Sequence, residues 1–557
     1  ERAYKVSYNR PLQTRGTTPE DSPFSAEYPM VRWLERNGYD VSYFTGVDAD
    51  RRGSEILEHK VYLSVGHDEY WSGQQRANVE AAREAGVNLA FFSGNEVFWK
   101  TRWENSIDGS NTDHRTLVCY KETHANAKID PKSTVWTGTW RDPRFSPPAD
   151  GGRPENALSG QMFMVNSGTS SIEVPAEYSK MRLWRNTSVA SLAPGETASL
   201  GTETLGYEWD EDILNSSRPP GLIDLSSTTF EVPDHLVDYG SNYLPGMATH
   251  HLTLYRAPSG ALVFGAGTVQ WSWGLDTEHD RGAFPREADP NMQQATANLL
   301  ADMGAQAETL EEGLVAPSQS TDVTPPVTTI TSPAEGAHLE SGTPITVTGA
   351  SSDAKGQVAA VEVSIDGGAS WHPAEGRGTW KYKWTPGKAG AASVMARATD
   401  DSANLEKPGD ENKVEITART CPCSIWDSSV TAPGESDPSE IELGVKFRAD
   451  APGLITGLRY YKPPGSTGTH IGRLWTANGV QLAEAAFTNE TASGWQQVNL
   501  ASPVPISADT TYVASYFAPN GNYAAINDYF ALVGADSSPL HALADGVDGP
   551  NGVFSYG

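Results

Sequence analysis

The chain has 557 residues, a formal charge of −29 and a pI of about 4.8. A surface this acidic repels phosphate backbones, which argues against a nucleic-acid partner, and no apolar run is long enough to span a membrane. With 53 Gly and 37 Pro the sequence calls for many turns and much β-structure, spread over roughly three or four domains.

The first region alternates apolar runs with helical patterns. "YKVSYN" (4–9) reads as a strand. "EYPMVRWLERNG" (27–38) reads as a helix, with Met30, Val31 and Leu34 at helical spacing, Pro29 in the first turn and Gly38 past the end. "YDVSYFT" (39–45) reads as a second strand, "SEILEH" (54–59) as a short helix and "KVYLSV" (60–65) as a third strand. Ser72 and Gln75 form an S-x-x-Q start signal for "GQQRANVEAAREAG", and "VNLAFFS" (87–93) is the fourth strand. Strands alternating with helices imply a mostly parallel, doubly wound α/β sheet, whose sites form at the carboxyl ends of the strands. Those ends are the loops at 9–28, 46–50, 66–71 and 93–99.

Beyond residue 115, runs such as "RTLVCYKE", "MRLWRNTSVASL" and "HHLTLYRAPSGALVFGAG" read as antiparallel strands of a β-rich insert over that rim. A helix at 292–304 closes the α/β catalytic region, 1–312. The Pro/Ser/Thr-rich stretch 313–326 reads as a linker. Short alternating runs then describe two all-β sandwiches, at 327–420 and 421–557. The first resembles bacterial immunoglobulin-like modules of secreted enzymes. The second is jelly-roll-like and resembles secreted actinobacterial modules of no settled function. These modules favour a secreted, extracellular protein, and the start at Glu1 reads as a processed or truncated end. Trp475, Trp495 or Tyr460 could contact glycans, although inward aromatics are the usual content of a sandwich core. Cys119, Cys421 and Cys423 are too few for a zinc site; the "CPC" pair looks too close for an easy disulfide, leaving at most one local or intermodular bridge.

No G-x-S-x-G elbow, H-E-x-x-H helix or Walker loop occurs. Carboxylates are plentiful: Asp68, Glu69, Glu96, Glu155 and the run Glu208 to Asp212 in "GYEWDED". Two readings follow from residue types alone. One is a secreted polysaccharide-acting enzyme using paired carboxylates such as Asp68 and Glu208. The other is a non-catalytic glycan- or cell-wall-binding protein.

Four stretches carry a closer likeness: "EYPMVRWLERNGYDVSYFTGVD", "LSVGHDEYWS", "GVNLAFFSGNEVFWKTRW" and "GGRPENALSGQMF". They resemble the large (beta) subunit of N,N-dimethylformamidase over most of residues 1–310. The resemblance implies an amidotransferase-like α/β domain, hydrolysis of C–N amide bonds, and a mononuclear iron (Fe3+). It also implies a small partner subunit, which would be a separate chain. By motif, the iron ligands map to Tyr28, Tyr70 and Glu155. Two phenolates and a carboxylate are hard oxygen donors suited to ferric iron. A metal-activated water would then attack a polarised amide carbonyl of a small-molecule or polymer substrate. Among nearby groups, His67 and Asn95 lie on the strand-end loops, and Glu208 and His251 approach from the insert. Glu208, flanked by Tyr207 and Trp209, is the preferred general base.

Overall fold

In a computed structural model, which describes residues 3–11, 15, 20–145, 151–282, 286–527, 529–531 and 533–556, the apolar runs of the first region pair into a five-stranded sheet. Val61–His67 lies parallel to Asn88–Gly94, with Val61 opposite Asn88 and His67 opposite Gly94. Leu262–Gly265 runs parallel on the other side of Asn88–Gly94. Thr253–Arg256 and Ile223–Asp224 continue the sheet antiparallel. The parallel part is therefore three strands within a mixed sheet.

Two expected strands lie elsewhere. Lys5–Ser7 pairs antiparallel with Thr116–Val118, in a second sheet that also holds Trp99–Glu104 and Tyr70–Ser72. The stretch 39–45 joins no ladder. Its burial does not alternate: Tyr39 packs on Trp33 at 5.6 Å between ring centroids and Phe44 on a second core, while Tyr43 is exposed with its hydroxyl donating to Glu35 at 2.7 Å. The expected rim loop 9–28 falls outside the described residues at 12–14 and 16–19.

Side chains alternate across a strand, so Asn88–Gly94 feeds two cores. Leu89 and Phe91 pack with Val79 and Ala82 of the helix Gly73–Glu84. Ala90 and Phe92 pack on the opposite face with Met30, Trp33 and Leu34 of the helix Tyr28–Arg36, and with Met292, Ala295 and Leu299 of the helix Pro290–Asp302. The start of Gly73–Glu84 is capped as its sequence requires, Ser72 Oγ accepting from the Gln75 amide at 3.0 Å. The insert contributes an antiparallel sheet of Trp209–Glu211, Met162–Val165, Thr228–Leu236 and Tyr243–His250.

The remaining sheets are sandwich-like. A four- and a five-stranded sheet lie between Val327 and Thr417, and a seven- and a two-stranded sheet follow between Ile441 and Tyr556. In the last pair the Tyr460 hydroxyl donates to Glu490 at 2.8 Å, the Trp475 indole to Ser515 at 2.7 Å and the Trp495 indole to the Val430 carbonyl at 2.8 Å. The polar edges of these three rings are thus spent inside the module. Cys421 and Cys423 form a disulfide, contrary to the expectation from their closeness; the Cα–Cα separation of 4.7 Å is within the range that a disulfide spans. Cys119 is free and buried, and burial pushes its thiol up to about 12.

The stretch read as a linker is docked rather than free. The Val315 amide and carbonyl both bond the Gln294 side chain, at 2.8 and 2.9 Å, and the Ser320 amide bonds Asp302 at 2.9 Å. The immunoglobulin-like sandwich packs on the first region through Ala359 and Ala403, which join its hydrophobic core. Beside them Glu362, only 4% exposed, accepts from Arg397 at 2.7 Å, from the Gly221 amide at 3.1 Å and from Arg218 at 3.4 Å. Removing one partner from such a buried group leaves the opposite charges uncompensated. Glu362→Ala should therefore destabilise the protein by about 3–5 kcal/mol in urea denaturation, whereas an independent module would show a loss near that of a surface pair, about 0–1 kcal/mol.

Candidate functional site

The carboxyl ends of Val61–His67 and Asn88–Gly94 meet a loop of the insert. At Gly94 a Cβ would stand 2.8 Å from the Glu208 carbonyl oxygen and 2.7 Å from the Val269 amide nitrogen, so only glycine admits this backbone crossing. The crossing is pinned on both sides. The Asp210 amide donates to the Gly267 carbonyl at 3.0 Å, and Asp210 Oδ1 accepts from the Asn95 amide at 2.9 Å. Asn95 and Val97 at the strand end take φ of 51° and 57°, a region that a β-branched residue such as Val97 enters only at a cost.

This arrangement brings three of the expected residues together. His67 Nε2 lies 2.8 Å from Glu208 Oε2, and Asn95 Nδ2 donates to the same oxygen at 2.7 Å. Asn95 Nδ2 is also 3.4 Å from His67 Nε2. The other imidazole nitrogen, Nδ1, is 3.1 Å from Asp21 Oδ2. The ring is thus clamped between two carboxylates, with Glu69 at 3.9 Å. Burial opposes its charge most strongly, but hydrogen bonds to Asp21 and Glu208 and the charges of Glu69 and Glu208 outweigh it, and His67 is raised well above the ordinary range. The same bond to His67 holds Asp21 below the usual carboxylate range.

Around this ion pair the acids are shifted the other way. Burial raises Glu69 and Asp68, and burial with the Asp68 charge raises Glu27 to about 7. Asp68 accepts from Ser64 Oγ at 2.9 Å and faces Glu27 and Tyr62, with the charge of His67 partly offsetting the effect of burial on it. Beneath the rim, Glu96 and Asp210 form a buried carboxyl pair. Burial and then the Asp210 charge hold Glu96 well above its ordinary range, and burial pushes Asp210 up to about 7. Asp210 was noted only as one of the acids of "GYEWDED", and Asp21 and Glu27 were not singled out from sequence; the only hint to the latter two was their nearness to the quoted motifs.

The other expected residues have partners of their own, although Tyr70 also meets Glu69 and the charge of Glu208, and Glu155 lies near enough to Asp210 for its charge to act there. His251 is half-buried, its carbonyl accepting from Gln161 at 2.5 Å and its ring facing the charge of Asp224. Tyr28, at the start of its helix, hydrogen-bonds Arg32 and packs on Phe24 at 5.3 Å. Tyr70 lies under the Lys121 ammonium, 5.1 Å from its ring centre, and burial followed by the Glu69 charge raises its phenol. Glu155, 1% exposed, is held by Arg141 at 3.0–3.2 Å. Two phenols and a carboxylate have the donor chemistry for a ferric ion; in this structure each of the three rests against a protein cation.

Residues 1–283 match the family described as N,N-dimethylformamidase beta subunit-like, C-terminal. Residues 326–403 match a bacterial Ig domain, and residues 427–557 a domain of unknown function (DUF4082). No curated protein matches the chain. Among solved structures, the fibronectin(III)-like modules of Clostridium thermocellum CbhA are 19% identical, cover 17% of this chain and 100% of their own, and superpose with a TM-score of 0.16. An alpha-L-rhamnosidase from Dictyoglumus thermophilum is 10% identical over 43% of this chain and 30% of its own, with a TM-score of 0.15. Scores this low carry no argument.

The raised acid at position 210 has a consequence for stability. Asp210 titrates near its ordinary value of 3.8 when unfolded and at about 7 when folded. The folded state therefore binds the proton more tightly, and its contribution is lost as pH rises from about 4 to about 7. Asp210→Asn cannot ionise and keeps the acceptor for the Asn95 amide. Urea midpoints measured across that window should fall less steeply for the variant; parallel curves would show that Asp210 is ionised throughout.

Proposed function

We propose that this chain, which belongs to the N,N-dimethylformamidase beta subunit-like family through residues 1–283, hydrolyses C–N bonds of amides at the strand-end basin around His67 and Glu208. What supports the reading is the clamp itself: Glu208, His67 and Asp21 are linked in series by contacts of 2.8 and 3.1 Å, on the rim where the strands of the sheet end. We take the first region, 1–312, to be an amidotransferase-like α/β domain, with sandwich modules at 327–420 and 421–557. A secreted protein acting on a small or polymeric amide, with a small partner subunit as a separate chain, completes the proposal.

Each step assigned to this chain's own residues follows from the geometry. Glu208 Oε2 takes hydrogen bonds from both His67 and Asn95, while Oε1 has no described partner. That free oxygen is the one to take a proton from an attacking water, because a base must reach its proton at about 3 Å, directly or through one water. His67, charged and fixed by Asp21, stabilises the carboxylate form between turnovers and can return a proton toward a leaving amine. Asn95 fixes the Glu208 rotamer. The proposal includes iron, for which Tyr28, Tyr70 and Glu155 are the ligand set; when bound, it would supply Lewis acidity at the amide carbonyl.

Two variants separate these claims, with hydrolysis of formamides and small amides as the assay. Glu208→Gln keeps shape and removes the base; turnover should fall by about 10²- to 10⁴-fold with iron content and fold unchanged, and activity within about threefold of the parent would end the role. Tyr70→Phe removes one partly buried hydroxyl, at a stability cost of about 1–3 kcal/mol. It should lower the iron recovered by elemental analysis, and full occupancy would remove Tyr70 from the ligand set.

A further inference from the structure

Far from this basin, four aspartates converge where the docked stretch enters the immunoglobulin-like sandwich. Asp322 precedes the strand Val327–Ser332, Asp353 follows Ile345–Ser352, and Asp400 ends Gly390–Asp400. One carboxylate oxygen of each lies within 4.8 Å of the others. Asp401 adds a further oxygen: a Cβ built at Gly356 would stand 2.5 Å from Asp401 Oδ1, 3.4 Å from Asp353 Oδ1 and 3.7 Å from Asp322 Oδ2. Asp400 and Asp401 are buried, and Asp322 and Asp353 are half-buried.

Proximity among acids alone identifies nothing, and the decisive observation concerns what the oxygens lack. In Asp322 and Asp353 the Oδ1 atom is held by backbone amides: that of Thr324 at 2.9 Å for Asp322, and those of Lys355 at 2.8 Å and Gly356 for Asp353. Oδ2 of each exposes less than 1 Å² and has no hydrogen-bond partner among the described residues. A buried carboxylate oxygen without a donor costs the full desolvation of a charged group. Carboxylate oxygens gathered within 4.8 Å of one another add repulsion. No amide or hydroxyl among the described residues serves them, and a cation would satisfy both at once.

The geometry points to a calcium ion bound by Asp322, Asp353 and Asp400, joining the stretch before the sandwich to two turns of the sandwich. The donors described are all oxygen, with no thiolate or imidazole, which selects a hard cation. Two oxygens on one calcium at about 2.4 Å can be no more than about 4.8 Å apart, which the cluster meets. Calcium takes about 6–8 oxygens in flexible geometry, whereas magnesium demands a near-ideal octahedron; carboxylates drawn from three separate segments suit the former. Space for further oxygen ligands lies alongside, in a cavity lined by Ser320, Asp322, Asp401, Ser402 and Asn404. An ion here would neutralise the repulsion and fasten residue 322 to the module, fixing how the sandwich sits on the first region.

The test uses the full chain, stripped with EGTA and dialysed, then titrated with CaCl2 by calorimetry while Tm is followed by circular dichroism. Saturable uptake with a rise in Tm is expected. Asp353→Asn should weaken calcium binding by about tenfold or more, and Glu375→Gln, an exposed acid of the same module paired with Lys381, should bind as the parent does. If Asp353→Asn folds poorly, Gly356→Ala serves instead, because its methyl would crowd the same oxygens and lower affinity without removing a charge. The assignment fails if the stripped chain takes up no calcium saturably, if Asp353→Asn and Gly356→Ala both bind as the parent, or if magnesium alone binds equally well.

Discussion

A buried acidic basin is stable only where its charges are paired or suppressed, and His67 is the cation on which that balance turns. It sits between Asp21 and Glu208, with Glu69 close by. The neighbouring acids without such a partner respond as burial requires. Glu27, Asp68, Glu69, Glu96 and Asp210 are all pushed toward their neutral forms. Asp21, bonded to the imidazole, is pushed the other way. The rim therefore holds the Asp21–His67–Glu208 contacts beside carboxyls whose burial disfavours their charge. Asp21, the carboxylate that His67 lowers, and Glu208 both lie against the imidazole, where a base or an anion-compensating group is of use.

How much of this was legible depends on range. The strands Val61–His67 and Asn88–Gly94, and the helices beginning at Tyr28, Gly73 and Pro290, follow from local period and capping, and their neighbours in sequence decide them. Those strands put His67 and Asn95 on the rim without further information. Glu208 is different. It arrives through backbone contacts between Gly94, the loop at 206–210 and Thr268–Val269, which no local pattern encodes. The stretch 39–45 misleads for the opposite reason: its apolar and aromatic residues alternate in sequence, but Val41 and Phe44 pack into different cores, Tyr43 is exposed, and no ladder forms. The expected metal ligands show a further gap. Tyr28, Tyr70 and Glu155 came from resemblance, and their contacts with Arg32, Lys121 and Arg141 lie in side-chain packing that spacing does not reveal.

Composition misjudged the stretch at 313–326 in a similar way. Pro, Ser and Thr describe what a free chain prefers, not whether neighbouring surfaces offer it bonds. Gln294 and Asp302, both on the helix Pro290–Asp302, supply those bonds here. The immunoglobulin-like sandwich is consequently braced, and its Glu362 is satisfied from both sides, by Arg397 of its own sheet and by Arg218 of the insert.

That brace bears on the basin through chain connectivity. Arg218 and Gly221, which meet Glu362, follow Glu208 by little more than ten residues in the same insert segment. Between them Asp212 binds Arg218 at 2.7–3.0 Å, and Trp209–Glu211 pairs with Met162–Val165. The segment is thus fixed at the strand-end crossing by Gly94 and Asn95, in the middle by the insert sheet, and at its far end by the sandwich. A carboxylate that must keep sub-ångström register with His67 and Asn95 gains from such support, because a loose loop would spread Glu208 over rotamers and positions that miss both donors. The sandwich therefore contributes to the site without touching it, by limiting the freedom of the loop that delivers its principal acid.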